Sequence, residues 1–211
     1  MQSILWFSPI VCVAVLLAAD PAWRGKDVAQ WRPDDAREVL TDSPWAKPAV
    51  MTVLPQRGEG QLRDGGRMGP ATSFGVKNGL DHQRVRIRWE SARPVRAAEM
   101  IAGESGAPDW DGAYYAIAIY DVPVIAAGDY KRAGGELKRT ALLKSAGMKD
   151  LKPERVVIDE LENGRSRVVY LFPRLAEIRS TCVEFIAQIG RLYLAQFFLP
   201  EQMSFQGKVE L

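Results

Sequence analysis

From Arg155 to Phe172 the chain reads RVVIDELENGRSRVVYLF, with two apolar runs on either side of Asn163-Gly164. Both residues of an Asn-Gly pair tolerate the positive φ angles of a type I′ turn, which makes this pair the strongest short signal for a hairpin. The flanking runs are rich in the β-branched and aromatic residues that favour strands. The sequence therefore predicts an antiparallel hairpin with strands at 155–161 and 165–172.

Further strand signals lie on both sides of this hairpin. Val85, Ile87 and Trp89 alternate with arginines, which is the period of a half-buried strand. The other predicted strands are 113–121 (AYYAIAIYD), 137–144, 181–188, 192–199 and 205–211, of which 181–188 and 192–199 are expected to pair about Gly190. About nine short strands with tight connections indicate an antiparallel β-sandwich or open barrel.

The first part of the chain has a helical pattern instead. Pro33 suits a first helical turn, and Asp34 and Asp35 complement the positive end of a helix dipole. We expect a short amphipathic helix at 33–40, a further single turn beginning at Trp45, and extended chain at 49–54. The predicted fold class is therefore mostly β with minor α: a β-sandwich or open barrel preceded by a short N-terminal helix.

Residues 1–19 have the properties of a signal peptide. They carry no charged side chain, and the apolar run 4–19 is short for a membrane span, which needs about 20 residues. The small pair Ala18-Ala19 favours cleavage after Ala19. The sequence predicts an exported bacterial protein, periplasmic or secreted, with no permanent membrane span after processing. A leader retained as an anchor is the alternative.

The remainder, 20–211, is expected to form a single mostly-β globular domain. Its 47% hydrophobic and 26% charged residues are typical of a folded protein. Glycines scattered through 55–80 interrupt any regular period and predict a flexible loop. A formal net charge of +2 does not indicate a nucleic-acid partner. Loss of the leader leaves Cys182 as a lone cysteine, expected to be a small buried hydrophobe.

Two segments carry a resemblance to known proteins. The stretch 35–47, DAREVLTDSPWAK, together with the closing residues 206–211, QGKVEL, resembles a group of exported bacterial proteins to which no activity is assigned. The resemblance covers most of the mature chain. It implies export and a single domain, and it implies no catalytic residues.

The residue types needed for common enzyme mechanisms are scarce. His82 is the single histidine, which excludes a three-histidine zinc site, and one mature cysteine excludes a cysteine-rich site. No phosphate-binding loop, nucleophile-elbow serine or dinucleotide fingerprint is present. We therefore predict no catalytic residue, no metal site and no cofactor, and we expect a protein that is not an enzyme.

Asp109, Trp110 and Asp111 form the first candidate binding site. They lie in the glycine-rich segment 103–112, directly before the clearest strand. Two carboxylates beside an exposed indole suit a sugar or Ca²⁺, or the acid and base of glycoside hydrolysis. The alternative is a pair of solvated, turn-forming aspartates.

Arg84, Arg86 and Arg88 form the second candidate site. Their spacing sets three guanidinium groups on one strand face at intervals of about 7 Å, a ladder suited to phosphates or carboxylates of an envelope polymer. The favoured alternative is that these charges protect the edge of a sheet from aggregation.

The leading functional hypothesis is a non-enzymatic exported binding or interaction module of the bacterial envelope. Its partner is expected to be an envelope polymer or another exported protein. One rival hypothesis is a carboxylate-dependent hydrolase that acts on polysaccharide through Asp109 and Asp111. The other is a structural component of an envelope assembly.

Overall fold

The structure is a computed structural model that describes residues 21–54, 82–104, 112–123, 130–161 and 164–211. The helices in these ranges are α1 Pro33–Thr41, α2 Arg93–Ala102 and α3 Tyr130–Thr140, with a 3-10 turn at Val28–Gln30. The strands are β1 Ala46–Val53, β2 His82–Trp89, β3 Tyr114–Val122, β4 Leu142–Ser145, β5 Arg155–Glu160, β6 Ser166–Pro173, β7 Val183–Ile189, β8 Leu192–Phe198, β9 Ser204–Phe205 and β10 Lys208–Val209.

Eight of these strands form one antiparallel sheet in the order β4-β7-β8-β1-β2-β3-β6-β5, and β9 and β10 form a separate small hairpin. The prediction of a mostly β fold of open-barrel type, preceded by a short helix, is confirmed. The predicted leader at 1–19 and the whole glycine-rich stretch 55–80 lie outside the described residues. No helix in the described part of the chain is long and apolar enough to cross a membrane.

The sheet is curled, so that strands far apart in its order meet across the core. Tyr170 and Phe172 of β6 contact Phe185 of β7, with ring centroids 5.4 and 6.1 Å apart. Helix α3 packs against both β5 and β7, near the two ends of the sheet. The helix therefore lies between the two sides of the open barrel.

The hairpin of β5 and β6 forms where the sequence predicts it. Glu160 pairs with Ser166, and the Leu161 amide donates to the Arg165 carbonyl at 2.7 Å. Gly164 has φ +69°, the left-handed conformation that the Asn-Gly signal indicates. Asn163 itself lies outside the described residues. The β7–β8 hairpin about Gly190 (φ +58°) is also confirmed.

Three tryptophans join the N-terminal segment to the end of the chain. Trp31 packs edge-on against Phe205 at 5.5 Å, and its Nε1 donates to the Trp23 carbonyl at 3.2 Å. Trp45 donates from Nε1 to the carbonyl of Glu210 at 2.8 Å. The predicted helix at 33–40 therefore lies against the sheet as α1, with Ala36, Val39 and Leu40 buried.

Three local predictions are wrong. Residues 137–140 belong to α3, because Leu137 and Ala141 are buried at a spacing of one helical turn; the strand begins at Leu142. No helical turn begins at Trp45, because Ser43 bonds back to the Val39 carbonyl at 2.7 Å and the chain enters β1. The closing strand at 205–211 is interrupted by a turn at Gln206-Gly207, where both φ angles are positive.

Candidate functional site

The arginine strand β2 lies in the interior of the sheet, between β1 and β3. The interpretation of Arg84, Arg86 and Arg88 as protectors of a sheet edge is therefore wrong. The three side chains do share the outer face of the sheet, opposite the core face that carries the apolar residues of β2. Their exposure differs: Arg84 is exposed, Arg86 is half-buried and Arg88 is buried.

Carboxylates compensate two of these three arginines. Arg86 donates from Nε to Asp121 at 3.0 Å, and its guanidinium lies 5.5 Å from the ring centroid of Tyr120. Asp121 has φ +62° at an irregularity in the β3–β6 pairing, a conformation that aspartate tolerates better than most residues. The expected ladder of three free guanidinium groups is therefore reduced chiefly to Arg84.

Arg88 is the centre of a buried group of polar side chains, the Arg88 cluster: Arg88, Glu90, Glu99, Glu104 and Tyr120. Its Nε donates to Glu90 at 2.9 Å, and Nη1 and Nη2 both donate to Glu104 at 3.0 Å. Nη2 lies 3.2 Å from Glu99 and also bonds to the Tyr120 hydroxyl. The same hydroxyl donates to Glu90 at 2.6 Å. One guanidinium thus connects β2, β3, α2 and Glu104, the second residue after α2.

The two buried carboxyls of the cluster hold different charges. Burial disfavours the charged form of Glu90, but the Arg88 guanidinium and hydrogen bonds from Glu99 and Tyr120 keep the pKa of Glu90 below its usual range. Burial, followed by the hydrogen bond to Glu90, raises the pKa of Glu99 to about 9. At neutral pH Glu90 is therefore ionised and Glu99 keeps its proton.

That proton also bears on two buried oxygen atoms. Glu90 Oε2 and Glu99 Oε1 have no hydrogen-bond partner, although Glu99 Oε1 lies 3.2 Å from Arg88 Nη2 as an ion pair. A proton on Glu99 turns the contact between the two carboxyls into a hydrogen bond, as in other closely paired acids. The cluster needs no ligand to explain these atoms.

Access limits what the Arg88 cluster can do chemically. An acid and base must touch a substrate, yet Glu90 is 0% and Glu99 3% exposed. Only the Glu104 side chain, 43% exposed, reaches solvent to a substantial degree. The geometry therefore fits a buried link between α2 and the sheet. The sequence analysis missed Glu90 and Glu99, although opposite charges two residues apart, Arg88 and Glu90, signal a pair on one strand face.

A second feature lies on the same outer face, where β1 meets β8. These strands pair only at Thr52↔Tyr193 and Val53↔Leu192, although both are described along their whole lengths. By contrast, β1 pairs with β2 from Ala46 to Thr52, and β8 pairs with β7 over all its residues. We call the opening between residues 46–51 of β1 and 194–198 of β8 the β1–β8 seam.

Hydrogen-bond alternation shows which backbone groups of β1 face the seam. The Trp89 amide donates to the Trp45 carbonyl at 2.8 Å, so odd-numbered residues of β1 bond to β2. Even-numbered residues therefore direct their N–H and C=O groups toward β8. Two of them are Val50 and Pro48, and Pro48 has no N–H to offer on that side.

The same alternation applies to β8. The Leu54 amide donates to the Arg191 carbonyl at 2.7 Å, so the odd-numbered residues Ala195 and Phe197 face β1. Along the seam, Val50, Ala195 and Phe197 direct backbone groups toward the facing strand, but they lie beyond the last residue pair of β1 and β8. Among the described residues, the ladder between β1 and β8 is therefore shorter than the strands that form it.

Apolar side chains surround the seam on the outer face. Val50 is 51% and Phe197 is 53% exposed, whereas Phe198 points into the core. Phe197 and Phe198, which are neighbours on β8, thus lie on opposite faces of the sheet. The pairing register sets Leu142 beside Ile186, and Ile186 beside Ala195, so an apolar row leads across β4 and β7 to the seam.

A cavity of about 490 Å³ lies beside the start of β1, lined partly by Lys47, Pro48 and Gln202. Glu38 and Asp42, at the end of α1, supply carboxylates to its wall. The Lys47 ammonium lies 5.7 Å from the ring centroid of Phe198, and burial lowers its pKa. The lining of this cavity thus combines two carboxylates with the ammonium group of Lys47.

The first predicted site cannot be placed. Asp109, Trp110 and Asp111 lie outside the described residues, and the described chain resumes at Gly112 with φ +74°. Within the described ranges, no group of three or more His, Cys, Asp or Glu side chains is arranged to hold a metal ion. His82 is exposed at the start of β2.

Comparison with known proteins finds no match among protein-family models, curated proteins or solved structures. The class of protein is therefore given by its fold: a curled antiparallel β-sheet with a buried charge cluster and an interrupted strand pairing on its outer face.

Proposed function

We propose that this chain is an exported, non-enzymatic interaction module of the bacterial envelope, and that its partner is another exported protein. The observation that carries the proposal is the pair of exposed apolar side chains, Val50 and Phe197, at the point where the β1–β8 pairing stops. Export is inferred from the leader-like sequence at 1–19.

Solvent exposure of the apolar row that ends at Val50 and Phe197 costs free energy unless a partner covers these side chains. Full burial of one large apolar side chain contributes about 1.5–3 kcal/mol. Contiguous exposed apolar surface on a folded protein is typical of interaction sites. Phe197 and Val50, with Ile186 and Leu142 beyond them, offer such a surface to a protein partner.

An envelope polymer is the less favoured partner. Recognition of an anionic polymer by the arginine strand would use Arg84, Arg86 and Arg88 together. Asp121 already compensates Arg86, and Arg88 is buried among carboxylates. A single exposed guanidinium provides little selectivity for a polyanion.

The hydrolase hypothesis has less support than an interaction module. Glu99, which is protonated, and Glu90, which is ionised, resemble the acid and base of a hydrolase, but both are buried. A hydrolase built on Asp109 and Asp111 stays a prediction from the sequence. That hypothesis predicts that the protein hydrolyses a polysaccharide and that Asp109→Ala and Asp111→Ala each abolish this activity.

Site-specific photocrosslinking in the producing cell tests the interaction module. A photoreactive phenylalanine analogue is placed at Phe197, and in a matched control at Leu175, which is 77% exposed. We expect a discrete adduct with another protein from position 197 and none from position 175. No adduct, or the same adducts from both positions, contradicts the proposal. An adduct with a second copy of this chain supports a structural assembly instead.

A further inference from the structure

We infer that Lys47 is a nucleophilic lysine at which this protein forms a Schiff base with a small uncharged aldehyde or ketone. Lys47 occupies an unusual position in β1. It pairs with Ile87 of β2, and the side chains of two directly paired residues project from the same face of a sheet. Ile87 is fully buried, so Lys47 lies on the core face. Lysine seldom occupies such a position without a charged partner.

The Lys47 ammonium group has no charged partner of this kind. Within the described part of the chain, it makes no hydrogen bond and no ion pair. Its neighbour is the ring of Phe198, whose centroid lies 5.7 Å from Nζ and whose side chain is fully buried. By contrast, Asp35 holds the Lys26 ammonium at 2.7 Å. The nitrogen of Lys47 is therefore not engaged by another side chain.

Burial favours the neutral form of this amine. A surrounding of low dielectric constant disfavours a charge, and this effect lowers the pKa of Lys47. The Phe198 ring and the carboxylates of Glu38 and Asp42 favour the ammonium form, but neither carboxylate forms an ion pair with Lys47. More of the amine is therefore neutral and nucleophilic at neutral pH than in a solvated lysine.

The cavity of about 490 Å³ beside the start of β1 gives a small molecule access to Lys47, which lines it. This volume lies within the range of about 300–1,000 Å³ that is usual for small-molecule sites. The apolar part of the wall consists of three prolines, Pro21, Pro44 and Pro48. Glu38 and Asp42 supply negative charge, which repels an anion. The cavity thus suits a small carbonyl compound without a negative charge.

Formation of the Schiff base needs no reagent besides the carbonyl compound. The neutral Lys47 nitrogen attacks the carbonyl carbon, a C–N bond forms, and the carbonyl oxygen takes up a proton to give a carbinolamine. That oxygen then leaves as water, which carries away the two hydrogens of the amine, and a C=N bond remains. Water reverses both steps and releases the carbonyl compound. The site therefore binds its ligand covalently and reversibly, without turnover.

Reductive trapping with benzaldehyde tests the inference on the purified protein. Sodium cyanoborohydride reduces the imine to a stable secondary amine, which peptide mass spectrometry locates. At pH 7 we expect Lys47 to be modified about tenfold faster than Lys149, which is exposed. Lys47→Arg keeps the charge but forms no imine, so it should lose the fast reaction and retain the slow one at Lys149. Modification of Lys47 no faster than that of Lys149 overturns the inference.

Trace acetylation of the native protein with acetic anhydride, at a series of pH values, keeps the test valid even if Lys47→Arg does not fold. We expect the rate at Lys47 to reach half its maximum at a lower pH than the rate at Lys149. An equal or higher midpoint shows that burial does not activate the amine, which overturns the inference. A lower midpoint without preferential trapping of benzaldehyde shows a reactive amine without a carbonyl site, which also overturns it.

The charge preference of the cavity is tested with 4-carboxybenzaldehyde, the anionic counterpart of benzaldehyde. We expect it to modify Lys47 several-fold more slowly than benzaldehyde does, because Glu38 and Asp42 repel the carboxylate. Lys149 serves as the control and should react with both aldehydes at similar rates. An equal or faster reaction of the anionic aldehyde at Lys47 overturns the assignment to uncharged carbonyl compounds.

Discussion

At the scale of single residues, Arg88 compensates the charge of Glu90, and both side chains are buried. Replacement by leucine would leave the Glu90 carboxylate buried without a counter-charge. Breaking a buried ion pair in this way costs about 3–5 kcal/mol. We expect Arg88→Leu to lower the free energy of unfolding by that amount in urea denaturation.

Arg84→Leu is the matched control, because Arg84 occupies the same strand face but is exposed. Its effect should stay within about 0.5 kcal/mol, as for most surface substitutions. Equal effects of the two substitutions would mean that the Arg88 cluster does not contribute as a buried network.

Glu99 makes stability depend on pH. Its pKa is about 9 in the folded protein against an ordinary value of 4.5, so the folded state holds an extra proton between these values. The stability from this proton is complete below the unfolded pKa and is lost as the pH rises through the folded pKa. We expect the free energy of unfolding to fall between about pH 6 and pH 8 in the native protein, and less so in Glu99→Gln.

Urea denaturation across this pH range measures the difference. Glutamine keeps the neutral form of the side chain, so Glu99→Gln should cost little at neutral pH. Glu177→Gln serves as the control, because Glu177 is exposed and pairs only with exposed Arg179 among the described contacts. An unchanged pH slope in Glu99→Gln would show that Glu99 is ionised in the folded state.

The period of β2 predicts that Arg84, Arg86 and Arg88 share one face, and this is confirmed. Their different burial is not predictable from that pattern. Arg88 is buried because Tyr120 comes from β3 and Glu99 from α2. Tertiary structure brings these neighbours together, and the spacing of residues within one strand does not predict such contacts.

At the scale of elements, α3 lies between β5 and β7 and buries Leu137 there. Truncation of a buried leucine to alanine costs about 2–5 kcal/mol, from lost transfer free energy and the cavity left behind. We expect Leu137→Ala to lower the free energy of unfolding within that range, measured by urea denaturation. Lys138→Ala, next to it but exposed, should change stability by no more than about 0.5 kcal/mol.

The hairpins of the sheet are predictable because turn chemistry and alternation agree locally. Asn163-Gly164 specifies one of them and Gly190 marks another. Helix α3 is not predictable in the same way: Leu137 and the two basic residues after it also fit a strand that continues into β4. Only the packing of these residues against both sides of the curled sheet favours a helix over a strand.

The β1–β8 seam shows the same limit. Pro48 is its one local signal, because proline at a seam-facing position indicates an edge. Which strand lies beyond that edge depends on pairing between residues more than 140 positions apart, at Thr52 and Tyr193. Sequence patterns therefore predict strands far better than they predict where a ladder stops.

At the scale of the whole molecule, the fold combines a closed interior with an interrupted outer face. Aromatic contacts and the tryptophans hold the curled sheet together from the inside. The Arg88 cluster ties α2 to one part of the outer face, and the seam opens another part to solvent. The residues that stabilise the fold thus differ from those of the proposed binding surface, so each set can be substituted separately.

Amide hydrogen exchange of the free protein, followed residue by residue by NMR, tests the open seam most directly. We expect the amides of Val50, Ala195 and Phe197 to exchange rapidly, because they face the seam beyond the last residue pair of β1 and β8. Ala49, which bonds to β2, and Leu194, which bonds to β7, should be protected. If Val50 and Ala195 are protected as strongly as Ala49 and Leu194, then β1 and β8 form a continuous ladder, and the proposed binding site does not exist.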